Sequence, residues 1–263
     1  MNHDEFVNEV MRRGKDLYRD MPWRTNFKPY YVLVSEVMLQ QTQVERVIPK
    51  FDSFILAFPN IESLAKASLA NVLREWQGLG YNRRAKYLHE TAKMIVANGK
   101  FPHRQEELVV LPGVGKNTAG AILAYAYNQP AIFVETNIRA VYIGHFFAKK
   151  NDVDDRAIRE LLEQTIDKKH PREFYWALMD YGTWLKKQGV QPGQSRHYKK
   201  QVPLKGSIRE VRGQIVRTLS HGDIAQDDLY KKLQADHRFD AALAGLIKDG
   251  LIEKTRKKLH LTK

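Results

Sequence analysis

Leu111-Pro-Gly-Val-Gly-Lys-Asn-Thr-Ala-Gly120 is the stretch on which the reading of this chain turns. Pro112 fixes the backbone going into a turn, and Gly113 and Gly115 permit positive φ and close backbone approach. A tight turn feeding a helix over 117–127 follows. The first amides of such a helix lack partners within it, and the dipole behind them favours negative charge. The residues alone leave two readings open: a structural hairpin between helices, or a seat for phosphate.

Working outward, apolar residues recur at i, i+3 and i+4 from Asp4 to about Tyr181, with polar punctuation between the segments. This pattern predicts helices over 4–18, 30–44, 46–57, 61–67, 69–75, 82–98, 104–109, 117–127, 135–148, 154–166 and 171–186. Pro29, Pro49, Pro59, Pro102, Pro112, Pro130 and Pro171 mostly mark the breaks, where a missing N–H costs least. The body is therefore expected to be all-α. From Tyr181 through Arg209 there are seven Lys/Arg and no Asp or Glu, interrupted by glycines and prolines. This basic connector reads either as a solvated linker or as a strap on phosphate, carried by Arg196, His197, Tyr198, Lys199 and Lys200. Beyond it, helices over 208–219, 225–233 and 236–248 precede two short strands around Leu251 and Leu259, an order that resembles a winged helix. Its hairpin carries Lys254, Arg256, Lys257 and Lys258, suited to a DNA backbone or to packing and protein contact. The expected division is a body over 1–186, a connector over 187–206 and a small domain over 207–263.

Bulk composition narrows the chemistry. The 263 residues are 43% hydrophobic, enough for a real core. Lys and Arg total 43 against 30 Asp and Glu, a net charge of +13 that makes polyanions natural partners. The chain has no cysteine, which excludes disulfides, thiolate catalysis and cysteine-ligated zinc or iron–sulfur clusters. The first thirty residues carry charge and no apolar signal core, and no apolar run approaches a bilayer span, so a soluble protein of the cytoplasm, associated with the nucleoid, is expected.

Two acidic segments bracket the turn. In Ser35-Glu-Val-Met-Leu-Gln-Gln-Thr-Gln-Val44, Glu36 is flanked by Val34, Val37, Met38 and Leu39, and shares a helix face with Gln40, with Gln41 beside them. Desolvation there would raise its pKa and hold a proton ready for donation; a buried glutamate paired with an arginine fits the spacing equally well. In Val134-Glu-Thr-Asn-Ile-Arg-Ala-Val141, Glu135 stands at a helix start, Asn137 is placed to cap backbone groups, and Arg139 to pair with a neighbour or a phosphate. Cleavage of a glycosidic bond commonly needs one acid for the leaving group and one anion for an oxocarbenium-like sugar.

Pro22-Trp-Arg, Pro29-Tyr30, the Glu36 segment, Trp76-Gln-Gly-Leu-Gly-Tyr81, the Leu111 turn, Thr136-Asn137 and Ala177-Leu-Met-Asp-Tyr-Gly182 occur in this order, and together the chain from about residue 20 to 186 resembles the MutY-type adenine DNA glycosylases of the helix-hairpin-helix superfamily, related to endonuclease III. The resemblance implies a two-lobed helix-hairpin-helix body that flips a mispaired adenine, opposite 8-oxoguanine or guanine, from double-stranded DNA and hydrolyses its N-glycosidic bond. It makes Glu36 the acid on the adenine ring and Glu135 the second carboxylate. Trp23, Arg24, Leu39 and Asp180 match base-pocket residues, and Asn117 also falls in that pocket. Gln40, Gln41, Tyr81, Gly113, Gly115, Lys116 and Asn137, with Arg196, Lys199 and Lys200 of the connector, are the expected DNA contacts. The backbone carbonyls of the hairpin in that family often hold a monovalent cation; no other cofactor is implied for this chain, and a monomer is expected.

Three departures qualify the match. Glu135 replaces the usual Asp, so one more methylene shifts the charge towards the sugar or makes the chain rearrange. Asn117 occupies the place of endonuclease III's Schiff-base lysine, which favours a monofunctional hydrolase, since adjacent Lys116 points about 100° away around the helix. The four-cysteine loop expected near Lys186 is replaced by the basic connector, and 207–263 is too short for the usual domain that reads 8-oxoguanine. The same fold acting on another base, and a DNA-binding protein without catalysis, are the alternatives.

Overall fold

Short polar residues start many of the helices. Asn2 and Glu5 close a reciprocal capping box on α1 (His3–Asp16), and after a 3-10 turn at Pro22–Arg24 comes α2 (Pro29–Leu39). Next are α3 (Val44–Ala57), α4 (Ile61–Lys66), capped by Asn60, α5 (Leu69–Glu75), capped by Ser68, and α6 (Arg83–Ala97). The chain continues through α7 (Gln105–Leu108), α8 (Lys116–Tyr127), α9 (Thr136–Phe146), α10 (Asp155–Thr165), capped by Asp154, and α11 (Pro171–Lys187). A smaller C-terminal set holds α12 (Ile208–Leu219), β1 (Ile224–Ala225), α13 (Gln226–Lys232), α14 (Phe239–Lys248), β2 (Ile252–Thr255) and β3 (Lys258–Leu261). This computed structural model describes residues 2–190, 194–197, 201–255 and 258–263.

The helical body the sequence predicts is present, with three differences. The helix expected over 30–44 stops at Leu39, because Gln41 takes a left-handed backbone with φ 55°. Pro49 lies inside α3 and not at a break, in the second turn, where its missing N–H forfeits one ladder bond. Two residues of β1 add a third strand to the expected hairpin; a run that short carries no readable periodicity.

The chain divides into two units. The first comprises Met1–Leu33, His103–Val110 and Val114–Lys200, and the second Val34–Pro102, Leu111–Gly113 and Gln201–Lys263. In the first, Phe6 is packed 5.0 Å from Tyr142 and 4.9 Å from Phe146 between ring centroids, and Phe133 stacks on Tyr175 at 4.2 Å. Helices α9 and α11 approach so closely that a Cβ on Gly182 would lie 2.2 Å from the Asn137 carbonyl oxygen. In the second, Trp76, Phe54, Leu64 and Leu73 are fully buried among α3 to α6.

The C-terminal elements belong to that second unit. Their sheet runs β1-β3-β2, antiparallel throughout, with Ile224 opposite Leu259 and Ile252 opposite Leu261. Leu259 and Leu261 face the core and Lys258 faces out, the alternation of a half-buried strand. Asp249 after α14 accepts from Arg83 and Arg212, Lys86 Nζ reaches the Asp249 carbonyl at 2.8 Å, and Arg74 Nε donates to the Ser220 carbonyl at 3.1 Å. Among the described residues no helix is long and apolar enough to cross a membrane.

Candidate active site

Glu36 sits on α2, half-buried, with Ser35, Val37 and Met38 buried around it. One turn on, Gln40 Nε2 donates to the Gly113 carbonyl at 3.3 Å, so the helix bearing Glu36 is tied to the glycine turn. Leu39, expected in the base pocket, is half-buried at the helix end.

The turn that follows is held by a residue that the sequence reading missed. Arg84, 8% of whose surface is exposed, donates through Nη1 to the carbonyls of Val37 (2.7 Å), Met38 (2.9 Å) and Gln40 (2.6 Å). Through Nη2 it reaches Thr42 Oγ1 (3.0 Å) and the carbonyls of Leu79 (3.2 Å) and Gly80 (3.1 Å). Burial pulls this guanidinium down to about 10, still charged at neutral pH. One side chain thus fixes two turns that each present a non-glycine residue in the left-handed region, Gln41 at φ 55° and Tyr81 at φ 48°. A signal was there to be read: Arg84 falls on the buried stripe of α6 with Leu88, Ala92 and Ile95.

Gln40, Gln41, Tyr81 and Gly113 line one cavity of about 470 Å³, together with Arg83, Arg84, Tyr87 and, from the C-terminal elements, Arg209, Arg212 and Asp249. Gly113 has φ 74° and a Cβ there would meet Tyr87 Cβ at 2.9 Å, so the turn needs glycine for both reasons. Gly115 differs. Its backbone is extended, at φ −83° and ψ 175°, and a Cβ there would meet nothing within 4 Å. It caps α8 without a side-chain hydrogen bond, and Lys116 beside it is exposed. Two of the turn's carbonyls already accept, Pro112 from Thr91 Oγ1 at 2.9 Å and Gly113 from Gln40.

In the first unit the cap of α9 is Glu135 itself and not Asn137. Glu135 Oε1 accepts from the backbone N–H of Asn137 (2.7 Å) and Ile138 (3.3 Å), whereas Asn137 Oδ1 accepts from Thr183 Oγ1 at 3.3 Å. A glutamate can cap here because its longer side chain folds back onto its own helix start. Asn117 on α8 braces this segment: its Nδ2 donates to the Val134 carbonyl at 2.7 Å, and Arg159 Nη2 donates to its Oδ1 at 3.2 Å. Arg139 pairs with Asp155 through two hydrogen bonds of 2.6 and 2.7 Å, the neighbour reading of that residue. Lys186 of α11 feels the Glu135 charge; burial, the larger effect, lowers its pKa while Glu135 opposes the shift.

Trp23 and Arg24 are buried in the same unit. Arg24 donates to both oxygens of Asp180, at 2.7 and 3.0 Å, and Arg19 Nε adds a third bond at 2.7 Å, which neutralises a buried carboxylate. Arg196 of the connector is engaged by Asp152 at 2.6 Å and Asp154 at 2.9 Å. Lys199 and Lys200, with Tyr198, Arg256 and Lys257, lie outside the described residues. Among the described residues no three His, Cys, Asp or Glu gather to hold a metal.

The body is helical, its glycine turn leads into a helix with no side-chain cap, and a half-buried carboxylate stands on the apolar helix tied to that turn. The chain belongs to the HhH-GPD superfamily of base excision DNA repair proteins, which it matches over residues 34–168. It is 39% identical over 173 residues to an adenine DNA glycosylase of Buchnera aphidicola subsp. Baizongia pistaciae, covering 64% of this chain and 48% of that one. It is 46% identical over 127 residues to an adenine DNA glycosylase of Mycobacterium tuberculosis, covering 47% of this chain and 42% of that one. The chain thus spans about half the length of the curated relatives it matches. A thermostable thymine-DNA glycosylase of known structure superimposes with a TM-score of 0.62 at 27% identity, over 68% of this chain and 85% of that one.

Proposed function

We propose that the protein is a monofunctional DNA glycosylase that hydrolyses the N-glycosidic bond of an adenine mispaired with guanine or 8-oxoguanine. The observation that carries this reading is Glu36, a half-buried carboxyl on an apolar helix, one turn from the amide that grips the glycine turn. The names of its relatives support adenine as the target.

In this mechanism the adenine leaves the stack and its ring nitrogen takes the Glu36 proton, so that the C–N bond breaks towards a neutral base and an oxocarbenium-like sugar. Glu135 supplies the anion opposite that sugar. Its Oε1 is committed to the α9 cap, so Oε2 is the oxygen that serves the sugar. Water then adds to the anomeric carbon and passes its proton to the Glu36 carboxylate, which restores the acid. Asn117 offers no amine for an imine, which favours hydrolysis over lyase chemistry. Asp180 acts through Arg24, holding the Trp23–Arg24 turn. A monovalent cation, if bound, would be held by the carbonyls of Pro112 and Gly113, each with a second lone pair, and would add positive charge near a DNA phosphate.

The deciding experiment is Glu36→Gln on a duplex containing adenine opposite guanine or 8-oxoguanine. Base release is expected to fall at least about a hundredfold, as loss of a general acid entails, with affinity for the duplex retained. Unchanged release would remove Glu36 from the chemistry, and release of another base from a lesion panel, or of none, would replace the reading itself.

A further inference from the structure

Resting on that reading, we propose that Lys186 of α11 is the positioning residue for Glu135: its ammonium attracts and orients the second carboxylate oxygen, so that an anion of set direction meets the sugar.

The need for such a partner follows from the cap. Among the described residues the hydrogen bonds of Glu135 all run to Oε1, from the amides of Asn137 and Ile138. A carboxyl pinned by one oxygen still swings about it, because the last torsion of a glutamate is broad. Glu135 is half-buried, where an opposite charge acts more strongly than in open water.

The fold brings Lys186 to this place. Gly182 and Thr183 of α11 lie against Asn137, the glycine at its carbonyl and the threonine on its Oδ1. Lys186 follows them by four and three residues, on the same helix face, and helical side chains lean back towards the N-terminus, here towards the start of α9. Burial lowers the pKa of this half-buried amine, Glu135 opposes that shift and Arg19 adds to it, so both groups lie within electrostatic reach. The neighbouring cations are engaged elsewhere, Arg19 by Asp180, Arg139 by Asp155 and Arg159 by Asn117. Lys186 makes no hydrogen bond or ion pair among the described residues. An ammonium with three donors and no acceptor therefore stands near a carboxylate bonded through one oxygen. Their attraction strengthens as bound DNA displaces water from the site.

A double-mutant cycle tests this pairing. Single-turnover release of adenine, and equilibrium affinity for the same duplex, are measured for the full chain, Lys186→Met, Glu135→Gln and the double variant. Lys186→Met should slow release about tenfold or more, with affinity within about threefold of the unaltered chain, and should add nothing once Glu135→Gln is present. Lys186→Arg, which keeps the charge, should recover most of the rate. Equal slowing by Lys186→Met in both backgrounds would separate Lys186 from Glu135 and overturn the proposal, as would faster release. So would weakened affinity with the salt slope reduced by about one, which assigns the amine to a phosphate. Thermal unfolding checks that each variant folds. A readout independent of activity is the NMR titration of the Lys186 side chain, identified by its loss in Lys186→Arg. Glu135→Gln should move its midpoint to lower pH, and an unmoved midpoint would overturn the coupling. A chain that releases no adenine fails the activity reading alone, and the titration then decides whether the two groups are paired.

Discussion

Arg84 shows how much one side chain decides at the residue scale. Its two terminal nitrogens serve six oxygens on two turns, and hydrogen bonds from a charged donor to buried carbonyls lose far more when one partner is removed than a neutral pair does. Arg84→Met should destabilise the chain by about 3 kcal/mol in urea unfolding, since the carbonyls of Val37, Met38, Leu79 and Gly80 lose a donor inside the protein. Histidines set a second expectation. Burial lowers the pKa of His89, with Lys93 adding to the effect, and burial likewise lowers that of His145. A proton then binds the unfolded chain more readily than the folded one, so their contribution is intact above the unfolded value near 6.5 and lost as pH falls below it. The melting temperature should decline from pH 7 to pH 5, and His89→Gln, which keeps a donor for the Ala67 carbonyl, should lessen that decline.

At the scale of elements, close helix approach positions the acid-bearing segment. Gly182 lets α11 lie against the first turn of α9, where a Cβ would stand 2.2 Å from the Asn137 carbonyl oxygen and 2.7 Å from its carbon. Backbone cannot yield as a side-chain tip does. Gly182→Ala should therefore cost about 3 kcal/mol or more, and it should also lower base release by shifting Glu135, the cap of α9. Retained stability and rate together would show that the two helices separate freely. The α8 side repeats the device, with Gly120 set against the Phe133 ring.

For the whole molecule, charge is the controlling quantity. The net +13 predicts DNA affinity that falls steeply with salt, with a logarithmic slope of about −0.9 for each phosphate neutralised. Titration from low to physiological salt measures it, and a slope near zero would remove the electrostatic account of binding. Some basic residues are already engaged within the protein, Arg196 by Asp152 and Asp154, and Arg139 by Asp155. The slope is accordingly expected to reflect several contacts, far fewer than the 43 basic residues of the chain.

Helix positions, the turn at Pro112 to Gly115 and the α8 start behind it were legible in the sequence, because periodicity and turn chemistry depend on residues a few positions apart. Glu36, Gln40 and Gln41 were legible for the same reason. Where the chain stops being helical at Leu39, what Asn137 bonds across to α11, and which residues of the C-terminal elements line a cavity with Tyr81 were decided by tertiary structure. Each depends on a partner far along the chain, Arg84 for Gln40, Thr183 for Asn137 and Arg209 for Tyr81, and no local pattern specifies a pairing that only packing brings within hydrogen-bond reach.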